Sequence, residues 1–142
     1  MSLLECLHES FSIATFRSAS SENEIAALEM FSSIHVPEEF INIIRQKTEV
    51  EILVSNEKYI RLWGAGGCVE MNRAYSIQRY IPFSLAIGDD EGGNAIIYAT
   101  GNAGFGLYIV AFNDLGTDEM IYLSATLERF LVDGEGISVI LC

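Results

Sequence analysis

Asp89, Asp90 and Glu91 stand in one run, followed by Gly92, Gly93 and Asn94. Carboxylate oxygens are the preferred ligands of Ca²⁺ and Mg²⁺, so a hard-cation loop is the first chemistry this run suggests. The calcium-loop pattern of alternating acids, central Gly and closing Glu is missing, and Asp and Gly are also what a tight hairpin turn requires. The run therefore reads as a solvated turn, and no metal is called for. Gly64-Ala65-Gly66-Gly67 suggests a second chemistry, because N–H groups at a helix start attract phosphate. It lacks the Lys and the Ser or Thr of a Walker loop, and Val69 stands where the third Gly of a dinucleotide fingerprint belongs. A strand-to-helix turn is expected there, and a bend at Gly101 to Gly106. Cys68 would be a nucleophile if His35 lay beside it to promote the thiolate. Nothing in the sequence brings the two together, so packing is the expected role of Cys68. No catalytic residue and no cofactor emerges.

The charge points instead to a surface. The chain of 142 residues has 8 Lys and Arg against 20 Asp and Glu, a net charge of −12. Nucleic acid is excluded as a partner, because phosphate contacts need a basic surface. From Met1 to Arg79 there are eleven acids and seven bases, whereas from Tyr80 onward there are nine acids and only Arg129. Asp89, Asp90, Glu91, Asp114, Asp118 and Glu119, with Asp133 and Glu135, are candidates for an acidic face that steers a basic partner. Reversing Asp89 and Asp90 to Lys is expected to weaken such binding and leave the fold intact. A surface kept acidic only for solubility is the alternative. Trp63, at a strand end, is expected in the core, with an exposed interface anchor as its alternative.

The elements that must position these residues follow from punctuation and period. Half the residues are hydrophobic, enough for one core at this length. All 12 glycines lie at or after Gly64, so a helix-rich start and a sheet-rich end predict a single α+β domain. Phe11 to Phe16 reads as a strand. Ser20 and Ser21 offer a cap to a helix carrying Ile25, Leu28 and Phe31, and Pro37 starts a second with Phe40, Ile43, Ile44 and Lys47. Glu51–Val54 and Tyr59–Trp63 predict a hairpin, and Val69–Gln78 a helix. Phe83, Leu85 and Ile87 alternate with small residues, predicting a strand that pairs with Ala95–Thr100. The unbroken apolar run Gly106–Phe112 predicts a central strand covered on both faces. Met120–Leu123 is a last short strand, and Ser124 is the expected cap of a closing helix with Leu127, Phe130 and Leu131. Cys6, Cys68 and Cys142 suggest neither a disulfide framework nor a zinc site. No apolar stretch approaches the ~20 residues of a membrane helix, and the first residues lack a signal peptide's charged start. A soluble, cytoplasmic protein is expected, with no membrane partner.

Several of these segments together resemble the SUKH superfamily, in particular its Smi/Knr-like branch of cell-wall regulators and bacterial immunity proteins. The resemblance rests on the helix with Ile25 and Glu29 and on Ile34-His35-Val36-Pro37-Glu38-Glu39-Phe40. It continues in Ile81-Pro82-Phe83, Ile87-Gly88-Asp89-Asp90, Glu91-Gly92-Gly93-Asn94 and the closing Leu123 to Leu131, roughly residues 20 to 133. The chain departs from the family after the second helix, where Gln46-Lys47-Thr48-Glu49 replaces an Asn-Gly-Gly-like turn. The resemblance implies a central, mostly antiparallel sheet flanked by short helices, used to bind proteins and without catalytic residues. It also implies an immunity role, in which a protein neutralises the toxin encoded beside it; many such toxins are basic. A regulatory scaffold without a toxin partner and a small-molecule- or metal-dependent enzyme are the competing readings.

Overall fold

From Lys47 to Val54 every second residue is buried: Thr48, Val50, Ile52 and Val54. That period of two is what a strand needs to turn one face to the core. The computed structural model, which describes residues 2–142, places this segment second in a seven-stranded sheet. The strands are β1 (Phe11–Ser18), β2 (Lys47–Val54), β3 (Lys58–Leu62), β4 (Leu85–Asp89), β5 (Asn94–Gly101), β6 (Gly104–Ala111) and β7 (Ile121–Ser124). Each pairs antiparallel with its neighbour in sequence, so the sheet is a meander running from edge strand β1 to edge strand β7.

The first helix, α1 (Glu22–Phe31), starts as its sequence predicts. Ser21 Oγ accepts from the Glu24 N–H at 3.1 Å while the Glu24 carboxylate accepts from the Ser21 N–H at 2.8 Å. This reciprocal cap satisfies two donors. The second helix, α2 (Glu38–Ile44), buries Phe40, Ile41, Ile43 and Ile44. It stops short of Lys47, which opens β2 instead of closing the helix: the period-two burial that begins at Thr48 claims the segment for the sheet.

The helix expected over Val69–Gln78 is two, α3 (Ala65–Ala74) and α4 (Ile77–Tyr80), broken where Ser76 takes φ 50°. Gly66 and Gly67 belong to the first turn of α3 and not to the loop before it. Phe83, expected in β4, lies outside the strand at φ 54° and is 71% exposed. β6 is the sixth strand of seven and not the central one. Leu107, Tyr108, Ile109 and Val110 are nonetheless all buried. An unbroken apolar run reports cover on both faces, not rank in the sheet. The cap of α5 (Leu127–Leu131) is Thr126, whose Oγ1 accepts from the Arg129 N–H at 3.1 Å; Ser124 instead donates its hydroxyl to the Thr126 carbonyl. A further helix, α6 (Ile137–Leu141), then packs on β7.

One core joins these layers. Tyr98, Tyr108, Phe40 and Phe130 are its largest fully buried side chains, each contributing on the order of 1.5–3 kcal/mol by leaving water. Asn72, in α3, is as buried as they are and has all its hydrogen-bonding capacity met. Its Nδ2 donates to the carbonyls of Cys68 and Ala86, and its Oδ1 accepts from the Ala86 N–H and Gln78 Nε2. β3 and β4 pair only at Arg61–Asp89 and Leu62–Gly88, so the amide supplies Ala86 with the partner a longer ladder would have given. Gly88 cannot carry a side chain: a Cβ there would lie 2.2 Å from the Arg61 carbonyl oxygen.

Candidate functional site

The acidic run forms the turn between β4 and β5, and two of its acids build it. Asp90 Oδ1 accepts from the N–H groups of Gly92 and Asn94, and Asp90 Oδ2 accepts from Asn94 Nδ2 at 2.7 Å. Asp89 Oδ1 accepts from the Glu91 N–H, while its Oδ2 accepts from the Trp63 indole at 2.8 Å. Trp63 is in the core, as expected, and stacks beside Phe112 at 6.5 Å between ring centroids. The expectation that Asp89 and Asp90 can be reversed without touching the fold is therefore corrected: Lys at either position removes an acceptor on which the turn depends. Among the described residues, no three His, Cys, Asp or Glu side chains are placed to hold a metal ion.

Glu91 projects toward a different group. Arg61 Nη2 lies 3.2 Å from the Glu51 carboxylate and 3.9 Å from that of Glu91. One cation between two acids does not neutralise both. Partial burial, and then the hydrogen bond and charge of Glu51, push the Glu91 carboxyl up to about 7, against the pull of Arg61.

The Gly64 to Gly67 turn is filled by the protein's own groups. Glu49 sits at an irregularity in the β1–β2 pairing with φ 45°, and bulges of this kind re-aim a side chain. Its carboxylate accepts from the Gly64 N–H at 2.9 Å, and Ser20 Oγ accepts from the Ala65 N–H at 3.0 Å. An acid at the start of α3 is favoured by the helix dipole as well. Cys68 is wholly buried behind this cap, and burial, then the Glu49 charge, push its thiol well up. Both act against the thiolate that nucleophilic chemistry needs, while His35 is exposed.

The remaining acids gather around concavities at the β4–β5 turn end of the sheet. Asp90, Asp114 and Glu119 line a pocket of about 430 Å³ together with Ile109, Ile121 and Val139. Lys58 and Asn94 line it too, and both recur with Tyr59, Asp90 and Glu91 in an adjoining hollow. Asp114 is shared with a third, lined by Tyr75, Tyr80, Phe112 and Leu115. Shared lining residues connect the three: Lys58, Asp90 and Asn94 belong to the first and second, Asp114 to the first and third, and aromatic side chains line the second and third. Asp118 is exposed but lines none of these hollows, and Asp133 and Glu135 follow α5, where Glu135 meets Arg129 at 4.0 Å. Sequence reasoning missed the apolar and aromatic members of this surface. Tyr75, Tyr80 and Ile121 look like core residues in a sequence, and only their exposure of 42%, 51% and 57% shows otherwise.

An antiparallel meander with short helices packed on it defines an α+β domain. The SMI1 / KNR4 family (SUKH-1) model matches residues 19–133, and the chain belongs to that family. No curated protein matches the chain. Among the described residues no helix is long and apolar enough to cross a membrane.

Proposed function

We propose that this chain is a non-enzymatic protein-binding domain that acts as an immunity protein, binding a toxin encoded beside it and blocking the toxin's working surface. Family membership supports a domain used for protein–protein contact. The observation that carries the rest is the group of hollows that share Asp90 and Asp114, lined also by Glu119 and by Tyr59, Tyr75 and Tyr80. Aromatic residues are enriched in protein interfaces relative to the rest of the surface. Acids between them select a basic partner and raise its association rate, typically by ~10–10³-fold at low salt. A net charge of −12 gives the whole molecule the same sign.

The test uses Asp114→Lys with Glu119→Lys, because both side chains are exposed and neither builds the turn. Tagged wild-type protein should co-purify with the neighbouring gene's product and relieve its toxicity. The double variant should associate at least ~10-fold more slowly at low salt. A wild-type protein that retains nothing from its host at low salt overturns the immunity reading. Unchanged association by the variant overturns the acidic surface.

A further inference from the structure

The central hollow has a construction that a solvated acidic surface does not need. Its walls are aliphatic: Ile109 from β6, Ile121 from β7, and Val139 and Ile140 from α6. Ile121 is more than half exposed, on an edge strand four residues long. Asp114 and Glu119 rim the hollow, and both are exposed. Asp90, the third acid, is committed to its turn, and Lys58 is committed to α6: its Nζ donates to the main-chain oxygens of Ile140 and Cys142 at 3.2 and 3.3 Å. These hydrogen bonds hold Lys58 in place but leave its charge, so the lining sets one cation against the three acids Asp90, Asp114 and Glu119 and the hollow is net negative. Part of the wall, Val139 and Ile140, lies beyond residues 19–133 that match the family.

We infer that this hollow is an anchor pocket for a single lysine or arginine side chain at the tip of a basic segment of the protein partner. Such side chains pair a long apolar stem with a charged head. The stem matches the walls formed by Ile109, Ile121 and Val139, and the head matches the rim of Asp114 and Glu119. About 430 Å³ lies within the ~300–1,000 Å³ of pockets that hold small ligands, so the side chain enters with part of its backbone. The inference rests on the reading that the acidic surface takes a basic protein, and it adds where the contact is anchored and by what.

The test needs no toxin. Acetyl-Gly-Lys-Gly-amide is titrated into the full chain, and the methyl resonances of Ile109, Ile121 and Val139 are followed by NMR. Peptides with norleucine or glutamate in place of lysine serve as controls. The lysine peptide should shift these methyls saturably, norleucine should bind at least tenfold more weakly, and glutamate should not bind. Asp114→Asn with Glu119→Gln should abolish the lysine preference while leaving the remaining spectrum in place. No shift with the lysine peptide, or norleucine equal to lysine, overturns the anchor pocket. If the pocket fails while the neighbouring gene's product is still captured, the immunity reading stands alone. If the peptide binds while no partner is captured, the pocket stands and the immunity reading falls.

Discussion

The Glu39 carboxylate lies 2.8 Å from the Tyr98 hydroxyl, and the same oxygen accepts from the Leu127 N–H at 2.8 Å; its other oxygen accepts from the Glu128 N–H. One acid at the start of α2 thus satisfies a buried phenol on β5 and the first N–H groups of α5. Burial, and then the Glu39 charge, hold the Tyr98 hydroxyl well above its usual range. Glu39→Ala leaves all three donors without a protein acceptor, and a loss of ~2–4 kcal/mol is expected. Tyr98→Phe removes one donor together with its need and should cost only about 1 kcal/mol. Urea denaturation of the two single variants and the double variant reads the coupling. Additive losses would show that the two residues act independently.

Gly66 and Gly67 are neighbours in α3, yet alanine should act with opposite sign at the two. A Cβ on Gly66 meets only the end of the Glu24 side chain, at 3.4 Å, whereas one on Gly67 would stand 2.8 Å from the Glu49 oxygen that caps Gly64. Gly66→Ala should stabilise by ~0.5–1 kcal/mol through helix propensity alone. Gly67→Ala should destabilise by about 1 kcal/mol, because displacing the cap outweighs the same gain. In a Glu49→Ala background the Gly67 penalty should vanish. Thermal or urea midpoints of the four variants check this, and a penalty that persists without Glu49 would assign it to Trp63, 3.3 Å away on the other side.

Asn72 is the buried polar residue on which the α3–β4 contact depends. Asn72→Ala strands both main-chain groups of Ala86 in the core, and ~2–4 kcal/mol should be lost. Asn72→Asp should be at least as damaging, because it replaces the one nitrogen that donates to the carbonyls of Cys68 and Ala86 with an oxygen that faces both. An Asp variant as stable as wild type by urea denaturation would refute this account of the network.

The parts of the fold legible in the sequence were those with a local cause. Ser21 and Glu24 mark a helix start at fixed spacing, Pro37 marks another, and Asp90 to Gly93 make the turn their residue types require. The start of α3 was not legible, because Glu49 and Ser20, which cap it, are distant in sequence. Glu49 stands in the stretch where the chain departs from the family pattern, which gave no reason to look there. Ile43 and Ile44 carry the helical period almost to Lys47, and the strand period becomes visible only over the next seven residues. The acids of the candidate surface were legible as charge, but their aliphatic and aromatic neighbours were not, since an exposed Ile121 and a buried Ile140 look alike as letters.

The group of Glu91, Arg61 and Glu51 makes stability depend on pH in a direction unusual for a carboxylate. Glu91 holds its proton up to about 7 in the folded chain, whereas an unfolded Glu releases it near ~4.3. The folded state therefore binds the proton more tightly. Its contribution to stability is complete below the unfolded value and is lost as pH rises through about 7. The side chain is 32% exposed, so solvent screening keeps the effect small. Glu91→Gln fixes the uncharged form and still offers Glu51 a donor, while Arg61 keeps its 3.2 Å contact with Glu51. Urea midpoints measured from pH 5 to pH 8 should fall with pH more steeply for wild type than for the variant up to about 7 and run parallel to it above that. Curves parallel throughout would show that Glu91 ionises without consequence for the turn. The same titration adds one negative charge beside Asp90 on the candidate surface, so capture of a basic partner should strengthen over this range in wild type and stay level in Glu91→Gln.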